Sequence, residues 1–126
     1  GKAAMPEEEK TANATNLGEA IYRTNGVAEV SAQWVQKNIG RFRLIDVREP
    51  NELASVGRVA QSENIPLSQF MEGAEAIPRD TPMVVMCASG GRSGRVVRAL
   101  ESAGFGAAAS MEGGMFGWKA YGLPVA

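Results

Sequence analysis

Apolar residues along the chain fall in short runs, separated by glycine, proline and small polar residues, and the spacing inside the runs switches between two kinds. Arg43 to Val47 (RLIDV) and Met83 to Met86 (MVVM, introduced by Pro82) are continuous apolar stretches too short for helices, and they read as strands buried on both faces. Ala28-Glu29-Val30 and Ala107 to Ser110 are shorter strand candidates, and Glu63 to Leu67 is a brief extended piece. Between these runs the period lengthens. Trp34, Val35 and Asn38 lie one turn apart behind a Ser31 cap, which predicts a helix to about Ile39 that Gly40 ends. Asn51 to Val56 predicts a short helix, and Ser68 is expected to cap another through about Ile77. Ser93 to about Ala103 predicts the next helix, with Val96, Val97, Leu100 and Ala103 as its buried stripe. Gly113-Gly114 opens a final helix through Ala120, closed by Gly122 and Pro124. Strands alternating with helices predict an α/β fold: a central parallel sheet with right-handed crossovers and helices on both faces.

The first residues break this rhythm. Residues 5–16 carry no periodic apolar face, and Leu17, Ile21 and Tyr22 predict one or two helical turns within 17–24, ending near Asn25-Gly26. The expected organisation is a flexible extension over 1–26 and one domain over 27–126. Asn13-Ala14-Thr15 matches the N-glycosylation pattern, yet reads as part of an inert tail.

Composition narrows the chemistry. A chain of 126 residues can bury one core without disulfides or metal. With 13 basic against 14 acidic residues, nucleic acid is not an expected partner. No apolar run approaches the about 20 residues that span a bilayer, so no membrane association is expected. The segment GKAAMPEEEK lacks the apolar centre of a secretory signal, and a single cysteine excludes an internal disulfide; both point to a reducing, cytoplasmic setting. The absence of histidine removes Ser-His and Cys-His pairs and histidine zinc sites. A nucleophilic Cys87 therefore needs an activator other than imidazole, and neither a metal nor an organic cofactor is expected.

The segment PMVVMCASGGRSGRVVRAL, residues 82–100, supplies such an activator. Cys87 follows an apolar strand, at the carboxyl end where sites of parallel sheets form. Ala88 and Ser89 are small, and Gly90 and Gly91 permit backbone conformations closed to other residues, so successive N–H groups can turn inward as an anion-binding nest. Entry into a helix at Ser93 adds unpaired N–H groups and the positive end of the dipole, and Arg92 adds a permanent charge with forked donors. These features favour the thiolate. A cysteine of pKa about 8.5 is roughly 7% ionised near pH 7.4, and one of about 6.5 is almost 90% ionised. Arg95 and Arg98, one turn on, read as solvated charges or as substrate-steering ones.

Cys87-Ala88-Ser89-Gly90-Gly91-Arg92-Ser93 resembles the active-site loop of the rhodanese (sulfurtransferase) family. Leu44 to Pro50 (LIDVREP) resembles the family's first signature, and Glu112 to Trp118 with Gly122 to Val125 resembles its C-terminal one, all in the right order over residues 28–126. Where the family usually has Gly-His-Ile followed by Gly-Ala, this chain has Gly57-Arg58-Val59-Ala60-Gln61-Ser62. The resemblance implies a rhodanese-like α/β fold and a persulfide on Cys87, cradled by the amides of Ala88 to Ser93. It implies that Asp46 and Arg48 brace the loop or the pocket rim, with a local turn as the alternative. It also places Trp118 as lining or backing the pocket, or as core alone.

Spacing refines the expected reaction. The cysteine phosphatases and arsenate-reducing relatives have five residues between cysteine and arginine; here there are four, Ala88 to Gly91, as in the sulfur carriers. The expected partners are a small sulfur donor such as thiosulfate or a persulfide, and a thiol or cyanide acceptor. Arg92 would hold the sulfite-like part of the donor or brace the loop. A relay module that exchanges sulfur with a protein donor or acceptor is the alternative from another class.

Overall fold

The computed structural model describes residues 17–126; Asn13-Ala14-Thr15 and most of the expected extension lie outside them. Six strands form one sheet: β1 (Tyr22–Thr24), β2 (Val27–Val30), β3 (Arg43–Asp46), β4 (Glu63–Asn64), β5 (Met83–Met86) and β6 (Ala108–Met111). Their order is β1-β2-β6-β5-β3-β4. All neighbouring pairs are parallel except β1 with β2. The fold is therefore α/β as expected, and its sheet is mixed, with one antiparallel edge strand.

That edge corrects the helix expected within 17–24. A single 3-10 turn, Gly18–Ala20, is followed by β1, which pairs Tyr22 with Glu29 and Thr24 with Val27. The dipeptide that was to end a helix is a hairpin turn instead. Asn25 and Gly26 have φ of 52° and 82°, the left-handed pair that a two-residue hairpin needs. Leu17 is fully buried, so the packed structure reaches back beyond the expected boundary at residue 27.

Four helices connect the parallel strands, α1 (Ala32–Lys37), α2 (Pro50–Val56), α3 (Leu67–Gly73) and α4 (Gly91–Ser102), and a fifth, α5 (Gly114–Ala120), follows β6. Ser31 caps α1, its hydroxyl accepting from Trp34 N at 3.1 Å. Ser68 does not cap α3. The helix begins one residue earlier behind Pro66, whose carbonyl accepts from Phe70 N, and a 3-10 turn at Ala74–Ala76 extends it. On α4, Val96, Val97 and Leu100 are buried as expected, each worth about 1.5–3 kcal/mol relative to exposure. Ala103 is exposed, because the chain turns at Gly104 (φ 96°) and returns Phe105 to the core through a bond from Phe105 N to Leu100 O.

Helix α4 packs over β2, β6 and β5 with α3 beside it, while α1 and α5 pack together on the opposite face, as right-handed crossovers require. The central strands β5 and β6 are buried at every position. Their carboxyl ends, with those of β2 and β3, open on one edge of the molecule, where β5 runs into Cys87. Among the described residues no helix is long and apolar enough to cross a membrane.

At the end of β3 a buried ion pair ties three segments together. Arg48 donates to both Asp46 oxygens, closest at 2.7 Å, and to Gly57 O at 3.0 Å, with both side chains at most 1% exposed. The Asn64 amide of β4 donates to the carbonyls of Asp46 and Arg48. The turn that departs from the family pattern begins at Gly57, so it is anchored here. Breaking a buried pair leaves one charge without compensation and costs about 3–5 kcal/mol. Arg48→Met is expected to lose that much in urea denaturation, and the double variant Asp46→Leu/Arg48→Met to lose less. Equal losses would refute the ion-pair account.

Candidate functional site

Cys87 leaves β5 and is 1% exposed. Its Sγ accepts from Gly90 N at 3.1 Å and from Ser93 N at 3.4 Å, with Ser93 Oγ at 3.5 Å. Gly90 adopts φ 108°, a conformation that suits glycine, and turns the chain into α4. The helix starts at Gly91, two residues before the expected Ser93, which places Ser93 in its first turn with a free N–H aimed at the sulfur. Burial pushes the Cys87 thiol up, while the Ser93 hydroxyl and the amides of Ser93, Gly90 and Ser89 pull it down. The donors win, and the thiol titrates below its ordinary value.

One of these amides, that of Ser89, is aimed from outside the loop. The first turn of α5 donates Met115 N to Cys87 O at 2.8 Å and Phe116 N to Ala88 O at 3.0 Å. In a trans peptide the N–H points opposite to its C=O. Drawing the Ala88 carbonyl to α5 therefore turns the Ser89 N–H the other way, toward the sulfur. The approach is so close that a Cβ on Gly114 would lie 2.6 Å from Ala88 O and closer still to Cys87 O.

Arg92 points into an ion pair. Its guanidinium donates to both oxygens of Glu52 at 2.8 and 2.9 Å. Glu52 also accepts from Glu49 N, closing the first turn of α2. The Arg92 bonds hold the Glu52 carboxyl down at about 2, so it stays charged at any working pH. The arginine expected to touch the donor or brace the loop thus clamps α4 to α2.

The remaining candidates separate. Ala88 and Ser89 form the outer rim, with Ser89 and Gly91 exposed. Asp46 and Arg48 satisfy one another beneath the neighbouring strand end. Trp118 is buried in the core, its indole donates to Pro124 O at 2.7 Å, and it borders a cavity of about 210 Å³ with Gln36, Ile39 and the C-terminal residues, which no residue of the Cys87 loop lines. The C-terminal segment that follows Gly122 folds back on it, with Pro124 O accepting from the indole. Arg95 and Arg98 are exposed. Three contributors escaped sequence reasoning: Glu52, Gly114 and Ser110. Their signals were a Glu three residues after Glu49, the second glycine of a doublet, and a lone hydroxyl in the otherwise apolar strand β6.

A family model described as Rhodanese-like domain matches residues 31–121. The chain is 32% identical to a sulfurtransferase of Allochromatium vinosum over 65% of its length and 76% of that relative. It is 31% identical to the thiosulfate sulfurtransferase GlpE of Vibrio cholerae, over 77% and 91% of the two chains. Among solved structures, a rhodanese-related protein from Thermoplasma volcanium superposes with a TM-score of 0.69 at 37% identity, covering 78% of this chain and 96% of that one.

The close contact at Gly114 gives a direct test of how the loop is aimed. Gly114→Ala is expected to displace the Cys87 and Ala88 carbonyls and slow alkylation of Cys87 at pH 6.5 by about tenfold, as raising the thiol pKa by about one would do. Gly106→Ala, where the added Cβ meets nothing within 4 Å, is expected to alkylate like the parent. Equal rates in all three proteins would show that α5 does not aim the amides.

Proposed function

Because this chain belongs to the rhodanese-like domain family, whose members it resembles include sulfurtransferases, we propose that Cys87 carries a sulfane sulfur as a persulfide and passes it to a nucleophilic acceptor. The observation that carries this reading is the set of donors converging on one buried sulfur: two amides, a hydroxyl and the start of a helix, in a loop of four residues between Cys87 and Arg92.

The reaction is a double displacement. In the first half the Cys87 thiolate attacks the outer sulfur of thiosulfate or of another persulfide. The new S–S bond forms as the old one breaks, and its electron pair leaves with sulfite or with the donor thiolate. In the second half the acceptor, a thiolate or cyanide, attacks the outer sulfur. The bond to Sγ then breaks, its electron pair returns to Cys87, and the transferred sulfur leaves as a persulfide or thiocyanate. Amides that cost no reorganisation stabilise the sulfur anion in both halves. A persulfide adds one S–S bond, about 2 Å, beyond Sγ, which brings the reacting atom out of a residue that is itself enclosed.

Arg92 acts as a clamp in this scheme. With both its forks on Glu52, it holds the loop length fixed, and the donor is met by backbone amides. The four-residue loop suits a terminal sulfur, and a cradle one residue longer suits a tetrahedral phosphate. The reaction belongs in a reducing, cytoplasmic setting, where thiol acceptors are plentiful.

Two outcomes are expected. Thiosulfate should add the mass of one sulfur atom to the intact protein, and cyanide should then release thiocyanate; Cys87→Ser should lose both while keeping its circular dichroism spectrum. An adduct retained in that variant would disprove the assignment. Inserting one glycine between Gly90 and Gly91 should lower thiocyanate formation by at least about tenfold, the cost of misplaced donors. If the parent instead hydrolyses an aryl phosphate and ignores thiosulfate, the argument from loop length fails.

A further inference from the structure

Ser93 Oγ has one proton and three neighbours: Ser110 Oγ at 2.7 Å, Gly90 O at 3.3 Å and Cys87 Sγ at 3.5 Å. Its hydrogen bonding is underdetermined until the direction of the shortest contact is known. Ser110 decides it. This residue sits in β6 with no solvent exposure, and its hydroxyl meets no other partner among the described residues. If Ser93 donated to Ser110, the Ser110 proton would be buried without an acceptor, at a cost of about 1–3 kcal/mol. A Cys87 thiolate would also lose its hydroxyl donor, whereas the neutral thiol itself donates to Ser93 Oγ. With Ser110 donating, every proton in the chain has a place.

Resting on the sulfur-carrier reading, we propose that Ser110 is a positioning residue for the site: its buried hydroxyl donates to Ser93 Oγ and so reserves the Ser93 proton for the Cys87 sulfur or the Gly90 carbonyl. The Ser93 hydroxyl is then a rotor with two acceptors. When Sγ is a thiolate, the charged sulfur is the stronger acceptor and the proton turns to it. When Sγ carries an outer sulfur, the charge resides one atom further out and the proton returns to Gly90 O. A hydroxyl that accepts one bond is also a better donor of the next. Ser110 therefore acts on the step in which the S–S bond to Cys87 breaks and its electron pair settles on Sγ. No oxidant or further reactant enters, since the acceptor supplies the nucleophile.

The other charged groups around the sulfur do not change in this comparison. Arg92 faces Glu52 across α4 and α2, Asp46 faces Arg48 beyond β5, and Glu112, at the entry to α5, accepts from Tyr22.

The test reads the pH profile of Cys87 alkylation by iodoacetamide in the intact chain, which needs no sulfur transfer. Ser110→Ala is expected to move the midpoint up by about half a pH unit, the worth of one net hydrogen bond. Ser93→Ala should move it at least as far. Adding Ser110→Ala to Ser93→Ala should change nothing more, because Ser110 acts only through Ser93. Ser110→Thr, which keeps the hydroxyl, should stay nearer the parent midpoint than the equal-sized Ser110→Val; this pair decides the matter if Ser110→Ala does not fold. A parental midpoint in Ser110→Ala, or an undiminished Ser110 effect in the Ser93→Ala background, overturns the proposal. Failure of the parent to take sulfur from either thiosulfate or a small-molecule persulfide overturns the functional reading and leaves these midpoints interpretable on their own.

Discussion

Two hydrogen bonds from the first turn of α5, Met115 N to Cys87 O and Phe116 N to Ala88 O, decide which way the loop faces. A peptide group has a donor and an acceptor on opposite sides, so whatever captures the carbonyls directs the amides. Left to itself, a loop of small residues would satisfy its N–H groups with water. Here α5 takes the Cys87 and Ala88 carbonyls and leaves the Ser89 amide for the sulfur, beside those of Gly90 and Ser93. The rest of the molecule serves that approach. β5 and β6 lie side by side, with Ser110 opposite Val85 and Cys87 two residues further on, and the turn after β6 brings Gly113 and Gly114 against the loop. The lack of a side chain at Gly114 is a condition of contact, since its Cβ would occupy the space of two carbonyl groups.

Full charges near the site are spent on architecture. Asp46 is matched by Arg48 and Glu52 by Arg92, each pair with two-pronged geometry; the first fixes the end of β3 and its bond to Gly57 O, and the second joins α2 to α4. The sulfur is left to partial charges: amides, one hydroxyl and a helix start. Partial charges on a fixed backbone do not follow the substrate and do not titrate. A loop without histidine therefore offers the thiolate the same donors at every pH, where an imidazolium partner would lose its charge near neutrality.

Much of this was legible in sequence because strand length and helical spacing report burial directly. MVVM became β5 without a shifted residue, and RLIDV became β3 with its last residue left just outside. The loop was legible because its residue types are unusual together. Errors arose where two local rules compete. Asn25-Gly26 ends a helix or turns a hairpin with equal local logic, and only the pairing of Tyr22 with Glu29 chooses between them. Ser68 had the chemistry of a cap, but Pro66 had the geometry of a helix start. Roles that depend on three-dimensional partners were not legible at all. In sequence Arg92 reads equally as a donor ligand or a loop brace, and Trp118 as a pocket wall or as core; the partners that bear on these choices, Glu52 and Pro124, are found only in space.

The same sulfur must attack in one half of the proposed reaction and leave in the other, and these tasks pull its acidity in opposite directions. A lower thiol pKa makes more thiolate and a better leaving group, but each unit lost also weakens the attacking sulfur, with a Brønsted slope of about 0.4–0.5. The best compromise is a pKa near the ambient pH rather than the lowest attainable one. The structure contains both opposing forces: burial that raises the pKa and donors that lower it, with the donors ahead. An extra fixed cation at the sulfur would tip the balance toward a stable, sluggish thiolate. Engaging Arg92 with Glu52 keeps its guanidinium off the sulfur, so its charge acts there only through space. The balance is then left to groups that can respond to the charge on sulfur without contributing a charge of their own, and among these the Ser93 hydroxyl is the one free to rotate.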